Sequence, residues 1–203
     1  MMLDNLKGYH LLLASNSPRR NELLGGLGLQ YAVRVLKDGD ESYPLELKGA
    51  DVANYIALQK AEAFRPHIGP NDLVITADTI VCQGEEIFGK PTDREDALRM
   101  LNALSGKSHF VYTGVCLTSS YHQVSFLAET EVFFCELTEA ETEHYVDTYK
   151  PYDKAGAYGV QEWIGFVGVE SIEGSYFNVM GLPVHQLYTE LKRFPPLPNT
   201  TQP

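Results

Sequence analysis

The stretch HLLLASNSPRRNELLGGLG, residues 10–28, carries the reading of the fold. His10 to Ala14 is a short apolar run of the kind that forms a buried strand. Ser17-Pro18 is a helix start: a hydroxyl able to cap free backbone N–H groups, then proline at the first helical position, where its missing N–H is no loss. The helix predicted from there runs to about Leu24 and stops at Gly25-Gly26. Strand, polar turn and helix in that order begin an α/β fold. The adjacent Arg19 and Arg20 then stand at a helix N-terminus behind a strand, a place suited to holding an anion.

The alternation continues outward from this stretch. Leu29 to Leu36 reads as a second strand, Gly49-Ala50-Asp51 introduces a long helix stopped by Pro66, and Leu73 to Ala77 is a short buried strand. In the long helix Val52, Tyr55, Ile56, Gln59 and Ala63 share one face, with Lys60 on its margin. Thr92 to Glu95 has the pattern of a capping box, and Ala97, Leu98, Leu101 and Leu104 form the inner face of the helix it starts. Further on, Phe110 to Leu117 and Val124 to Phe134 predict a hairpin turning at Ser119 to His122, and Thr138 to Glu141 is a second capping box. Trp163 to Val169 reads as a strand, Glu173-Gly174-Ser175 as a turn, and Pro183 to Phe194 as a closing helix. Residues 195–203, PPLPNTTQP, read as an unpacked, flexible tail. Helices between strands early and hairpins later predict a mixed sheet in a single α/β domain over 1–203, with its core at about 10–194.

Composition narrows the class of function. With 203 residues, 44% of them hydrophobic and 21% charged, the chain can bury a sizeable core. Its three cysteines, Cys82, Cys116 and Cys135, have neither CxxC nor Cys/His spacing, so a reducing, cytoplasmic setting is expected. No apolar run is long enough to span a bilayer. A formal charge of -11 argues against nucleic acid as a partner, so any anionic ligand has to be met by a local cluster of Lys and Arg.

Such a cluster is available. Arg19-Arg20, Lys60, Lys90 in FGKP and Lys154 in YDKAG all fall near predicted turns or element ends, and together they would suit a polyphosphate. Asp78 follows the apolar run VITA, and an ionised carboxylate there needs a partner or a cleft at the strand's end. It could be a metal ligand, a general base or a turn carboxylate. Asp40 and Glu41 offer further carboxylates on a loop. SGKS at 105–108 is not a P-loop, because position 101, where the first glycine would fall, is leucine, and the segment joins helix to strand. A glycine closing a helix is the better reading of Gly106.

Taken in order, LLLASNSPRRNELL (11–24), ADT (77–79), GKP (89–91), DKAGAYGVQ (153–161) and NVMGLP (178–183) resemble the Maf family of nucleoside triphosphate pyrophosphatases, from about His10 to Phe194. The resemblance implies an elongated domain around a bent mixed sheet, related to the inosine triphosphatase-like enzymes and often seen as a homodimer. It implies hydrolysis of a nucleoside triphosphate to monophosphate and pyrophosphate with a divalent cation, Mg²⁺ or Mn²⁺. Carried over by motif, Asp78 is the expected proton acceptor and, with Glu41, the expected metal side of the site; Ser15, Arg20, Lys60 and Lys90 line it. Arg19, Thr79 and Gln161 match the positions that mark the branch acting on dTTP and UTP. A glutamine amide can donate to O4 and accept from N3–H of uracil or thymine, whereas cytosine presents the opposite pattern. Glu162 stands where the family commonly has glycine, and an insertion between Leu36 and Tyr43 leaves open whether Asp40 or Glu41 is the metal-side carboxylate. The alternative function is a nucleotide-binding regulator of septum formation with little or no turnover.

Overall fold

The structure, a computed structural model, describes residues 3–36 and 41–198. Among the described residues seven strands form one mixed sheet: β1 (His10–Leu13), β2 (Tyr31–Val33), β3 (Asp72–Gln83), β4 (Glu86–Phe88), β5 (Ser108–Thr118), β6 (Gln123–Phe134) and β7 (Val169–Glu173). Their order is β2-β1-β3-β5-β6-β7, with β4 on β3. β1 runs parallel to β2 and β3, and the remaining pairs are antiparallel. The helices are α1 (Pro18–Gly25), α2 (Ala50–Phe64), α3 (Arg94–Leu104), α4 (Glu139–Tyr149), α5 (Trp163–Val167), α6 (Tyr176–Val179) and α7 (Val184–Arg193). Among the described residues no helix is long and apolar enough to cross a membrane.

The central strand explains where a site can form. β5 pairs with β3 from Val74 to Cys82 along one edge. On the other edge β1 covers only Asp72 to Ile75, and β4 only Val81 to Gln83. Between these partners the edge of β3 is open, so Asp78 and Thr79 face a notch within a strand that is otherwise deeply buried. The expectation that Asp78 ends its strand is thereby corrected: the strand runs on to Gln83, and it is the partner strand that ends.

α2 lies against β3 and β5 on small residues. Its inner face is Val52, Ala53, Ile56, Ala57, Ala61 and Phe64, while Tyr55 is exposed, so the face is rotated from the one read in the sequence. Alanines let the helix backbone come close enough for Thr76 Oγ1 to donate to the Ala57 carbonyl at 2.8 Å. Opposite Asp78 in the register is Gly114, where an added Cβ would lie 2.4 Å from the Ala53 carbonyl oxygen and 2.7 Å from Asn54 Cα. Gly114→Ala should therefore push α2 off the sheet, destabilising the fold by about 1–3 kcal/mol through overpacking. Urea unfolding of the variant checks this, and the same displacement should weaken the Lys60–Asp78 contact described below.

Other expectations shift by small, explicable amounts. β2 is only three residues long. The first capping box moves on by one: Asp93 is the N-cap of α3 and accepts from the Asp96 N–H, while the Thr138–Glu141 box forms as read. Trp163 to Val167 is a helical turn and not a strand, and β7 begins at Val169. At Gly165 a Cβ would meet the Val160 carbonyl at 1.8 Å, so the chain there is coiled on itself too tightly for an extended strand. The tail is packed where it is described: Tyr9 donates to the Pro195 carbonyl at 3.2 Å, and Leu197 sits against the main core. Residues 199–203 lie outside the described residues.

Candidate active site

The notch in β3 opens into a cavity of about 1200 Å³. Ser15, Arg19, Arg20, Glu41, Lys60, Asp78, Thr79, Lys90, Lys154 and Gln161 all line it. They come from β3, the turn after β1, the start of α1, the C-terminal half of α2 and three loops. Five cationic side chains face three carboxylates there, Glu41, Asp78 and Asp153, so the cavity is locally positive in a chain of charge -11. Asp40 lies outside the described residues.

At the floor, Lys60 reaches from α2 to both carboxylates, with Nζ 2.7 Å from Asp78 Oδ1 and 2.8 Å from Glu41 Oε1. Asp78 is only 14% exposed, and this ammonium is the counter-charge that a carboxylate so placed needs. Among the described residues only Lys60 hydrogen-bonds the Asp78 carboxylate, through Oδ1. Burial pushes the Glu41 carboxyl up, but the Lys60 hydrogen bond and the charges of Lys60, Lys90 and Arg20 together hold it below the usual range. Lys90 is more exposed and stands 3.9 Å from Glu41.

Arg20 is held differently. Ser17 caps α1, accepting from the Arg20 N–H, and Pro18 fills the first helical position, so the side chain leaves the helix start at a fixed place. Nε donates to the Gly181 carbonyl at 2.8 Å, Nη2 to Thr79 Oγ1 at 3.0 Å and Nη1 to Ser15 Oγ at 3.4 Å. All three acceptors are neutral, and among the described residues no carboxylate is in ion-pair range of Arg20. Burial lowers its pKa and the nearby Asp78 opposes that, yet a guanidinium remains charged at any ordinary pH. A cation oriented on three sides by neutral oxygens and turned toward a cavity is prepared for an anion that arrives from outside.

The rim carries a chain of ion pairs. Arg19 Nη1 meets Asp153 Oδ2 at 2.8 Å, and Asp153 Oδ1 meets Lys154 Nζ at 2.8 Å. Lys154 Nζ also lies 3.1 Å from Glu162 Oε1, and the other oxygen of Glu162 accepts from the Tyr145 hydroxyl. Burial raises the Asp153 carboxyl, but hydrogen bonds from Lys154 and Arg19 outweigh it and bring it down to about 2. The charge of Lys154 is thus already met by two carboxylates, whereas that of Arg20 is not. Gln161 extends from the same loop, and its Oε1 is buried without a hydrogen-bond partner.

The donor set can be tested against a divalent cation. Among the described residues no group of three or more His, Cys, Asp or Glu side chains could hold a metal by itself. Glu41 and Asp78, drawn together on Lys60, make a pair. Mg²⁺ characteristically takes one or two protein carboxylates and completes its shell with substrate phosphates and water, so two carboxylates in a cavity lined by five cationic side chains fit it.

The family model described as Maf-like protein matches residues 10–194. This chain belongs to the Maf-like family. It is 57% identical over 192 residues to a dTTP/UTP pyrophosphatase of Bacteroides thetaiotaomicron, covering 95% of this chain and all of the relative. A Bacteroides fragilis protein of the same name is 59% identical over 192 residues, with the same shares covered. The Porphyromonas gingivalis one is 49% identical over 195, covering 95% and 98%. Among solved structures, the Staphylococcus aureus Ham1 protein superimposes with a TM-score of 0.55 at 14% identity, covering 91% of this chain and 98% of that one, a likeness of fold.

The Maf-like site also contains residues that motif reading passed over. Thr113, on β5, faces Thr79 with 2.9 Å between hydroxyl oxygens and donates to the Asn178 carbonyl at 3.4 Å. Asn178, fully buried, donates to the Val111 carbonyl at 3.1 Å and to Thr130 Oγ1 at 3.0 Å. Hydrogen bonds therefore link Arg20 through Thr79 and Thr113 to α6, the segment that also brings up the Gly181 carbonyl, which Thr79 Oγ1 reaches at 3.4 Å. The signal for Thr113 was a hydroxyl inside an otherwise apolar strand, VYTGVCL, which only gains meaning once the register sets it beside Thr79.

Proposed function

We propose that this Maf-like protein is a nucleoside triphosphate pyrophosphatase that hydrolyses UTP and dTTP to the monophosphate and pyrophosphate. The observation that carries the reading is the shared cavity: Asp78 at its floor, and Arg20 fixed by Ser15, Thr79 and Gly181 without a carboxylate to neutralise it. The names of the relatives, dTTP/UTP pyrophosphatases at 49–59% identity across almost the whole chain, support the same substrates.

In this reading the start of α1 and Arg20 take the phosphate chain. The guanidinium supplies a fixed fork and the helix N-terminus a favourable dipole end, while Lys60 and Lys90 supply mobile positive charge. A divalent cation, Mg²⁺ or Mn²⁺, held by Glu41 and Asp78 would neutralise phosphate oxygens and make the α-phosphorus more electrophilic. Asp78 has an oxygen not engaged by Lys60, and from it orients the attacking water and takes its proton. A carboxylate is a weak base, so orientation is as much its task as proton transfer. Thr79 keeps Arg20 aimed, its own hydroxyl being taken up by Arg20 and Thr113.

Gln161 reads the base. Its buried oxygen is an acceptor in want of a donor, which N3–H of uracil or thymine supplies; cytosine brings a lone pair to the same point. We expect pyrophosphate release in a panel of nucleoside triphosphates with Mg²⁺ or Mn²⁺ to be fastest with UTP and dTTP. Product identity is decisive: orthophosphate in place of pyrophosphate, or tight nucleotide binding with no turnover, would sink the proposal, and the latter would point to a nucleotide-binding regulator. The reading also places the protein in the cytoplasm, as a single catalytic domain able to pair with a second copy.

A further inference from the structure

A glutamine amide is nearly symmetric in shape. A half turn about its last torsion exchanges acceptor for donor, and with it a site for uracil for a site for cytosine. The reading of Gln161 as the base-selecting side chain, on which this inference rests, therefore needs something that holds the residue in one attitude. No side chain among the described residues hydrogen-bonds the Gln161 oxygen. The constraint has to come through the backbone on either side.

Such a constraint is built beneath the loop. The Glu162 side chain turns back under Gly159, where one carboxylate oxygen pairs with Lys154 Nζ and the other accepts from the Tyr145 hydroxyl. That same hydroxyl accepts from the Gly159 N–H at 2.9 Å, and the Glu162 N–H donates to the Gly159 carbonyl at 2.9 Å. A Cβ at Gly159 would meet Glu162 Cδ at 2.9 Å and Lys154 Cε at 3.1 Å, so the ion pair occupies the space that the missing side chain leaves. Lys154 and Tyr145 are both buried. A buried ammonium ties Glu162 down, because without this carboxylate Lys154 keeps only the more exposed Asp153 as its counter-charge.

We propose that Glu162 is a positioning residue for base selection: clamped between Lys154 and Tyr145, it fixes the loop from Gly159 to Glu162 and so keeps the Gln161 amide in the attitude that takes uracil or thymine over cytosine. Glu162→Gln keeps an acceptor for Tyr145 but loses the charge that holds Lys154. The loop is then freed, and either end of the amide can meet the base.

The test compares kcat/KM for UTP and CTP in wild type, Glu162→Gln, Gln161→Ala and the double variant, with thermal melting to establish folding. Glu162→Gln should lower the UTP-to-CTP ratio by about tenfold or more, in part through faster CTP turnover. In the double variant the Glu162 change should add nothing to the ratio, since the side chain it positions is gone. If Gln161→Ala abolishes discrimination while Glu162→Gln keeps the wild-type ratio, the clamp proposal alone is overturned. If Gln161→Ala keeps the discrimination, the base-reading role of Gln161 falls, and the clamp proposal with it. Should Glu162→Gln fail to fold, Tyr145→Phe, which removes one hydroxyl from the same clamp, takes its place with the same expected drop and the same overturning result.

Discussion

Asp78→Asn should leave the protein folded and cut pyrophosphate release from UTP by about 10²- to 10⁴-fold, the range in which a positioned general base acts. The fold should survive because the substitution keeps an oxygen for Lys60 to donate to, and Lys60 keeps its second carboxylate, Glu41, at 2.8 Å. No ammonium is left buried and unpaired, which is the situation that makes such changes costly. What disappears is the negative charge beside the open edge of β3. An amide can still orient water but cannot take its proton, and it is a poor ligand for a hard cation. The loss should fall on kcat with little change in nucleotide affinity, since Arg20 and the start of α1 are untouched. Steady-state pyrophosphate release, paired with nucleotide binding by calorimetry and a thermal melt, checks all three statements. An Asn variant that retained turnover within a few-fold of wild type would remove Asp78 from the chemistry.

The basic residues of the candidate site and Asp78 are legible in the sequence because they sit where local rules are strong, whereas Ser15, Thr79, Gln161 and the metal-side role of Glu41 enter only with the family resemblance. Ser17-Pro18 sets the helix start, and with it the position of Arg20. The glycines and the acid after VITA mark a departure from buried, apolar chain. Lys60 is legible as a charge on the margin of an apolar face, although in the fold that face is rotated: the sheet selects the alanines of α2 because Gly114 lets the backbone approach, and that selection is tertiary. The same limit explains Asp78. The run VITA reads as a whole strand, but strand length depends on partners, and β3 continues because β5 pairs with it far beyond the end of β1. Trp163 to Val167 departs from the strand expected of it for the complementary reason: an apolar, β-branched run looks extended, but the close contact of Gly165 with Val160 requires it to coil. Thr113, Asn178 and Tyr145 carry no motif at all. Their roles arise from register and from helix placement, and a single chain read by itself does not contain those distances in any local pattern.

Arg20→Lys is expected to be almost as damaging as removal of the charge altogether, lowering kcat/KM for UTP by about 10²- to 10³-fold, the effect of losing one preorganised donor at a reacting centre. Charge is conserved, so a model in which the cavity merely attracts phosphate by its field predicts a small loss. The geometry says otherwise. Three of the guanidinium's five N–H groups are spent on Gly181, Thr79 and Ser15, and that expenditure is what points the rest at the cavity. A lysine ammonium cannot span those acceptors from one position, and its flexible stem would leave Thr79 and the Gly181 carbonyl short of a donor. Arg19 offers the contrast. Its charge is engaged by Asp153 at the rim, and so Arg19→Lys, which can keep that ion pair, should cost much less. Measuring the two substitutions side by side separates orientation from charge: equal, modest losses would mean that only the positive field matters, whereas a large loss confined to position 20 would mean that the network through Thr79, Thr113 and Asn178 exists to hold one guanidinium still.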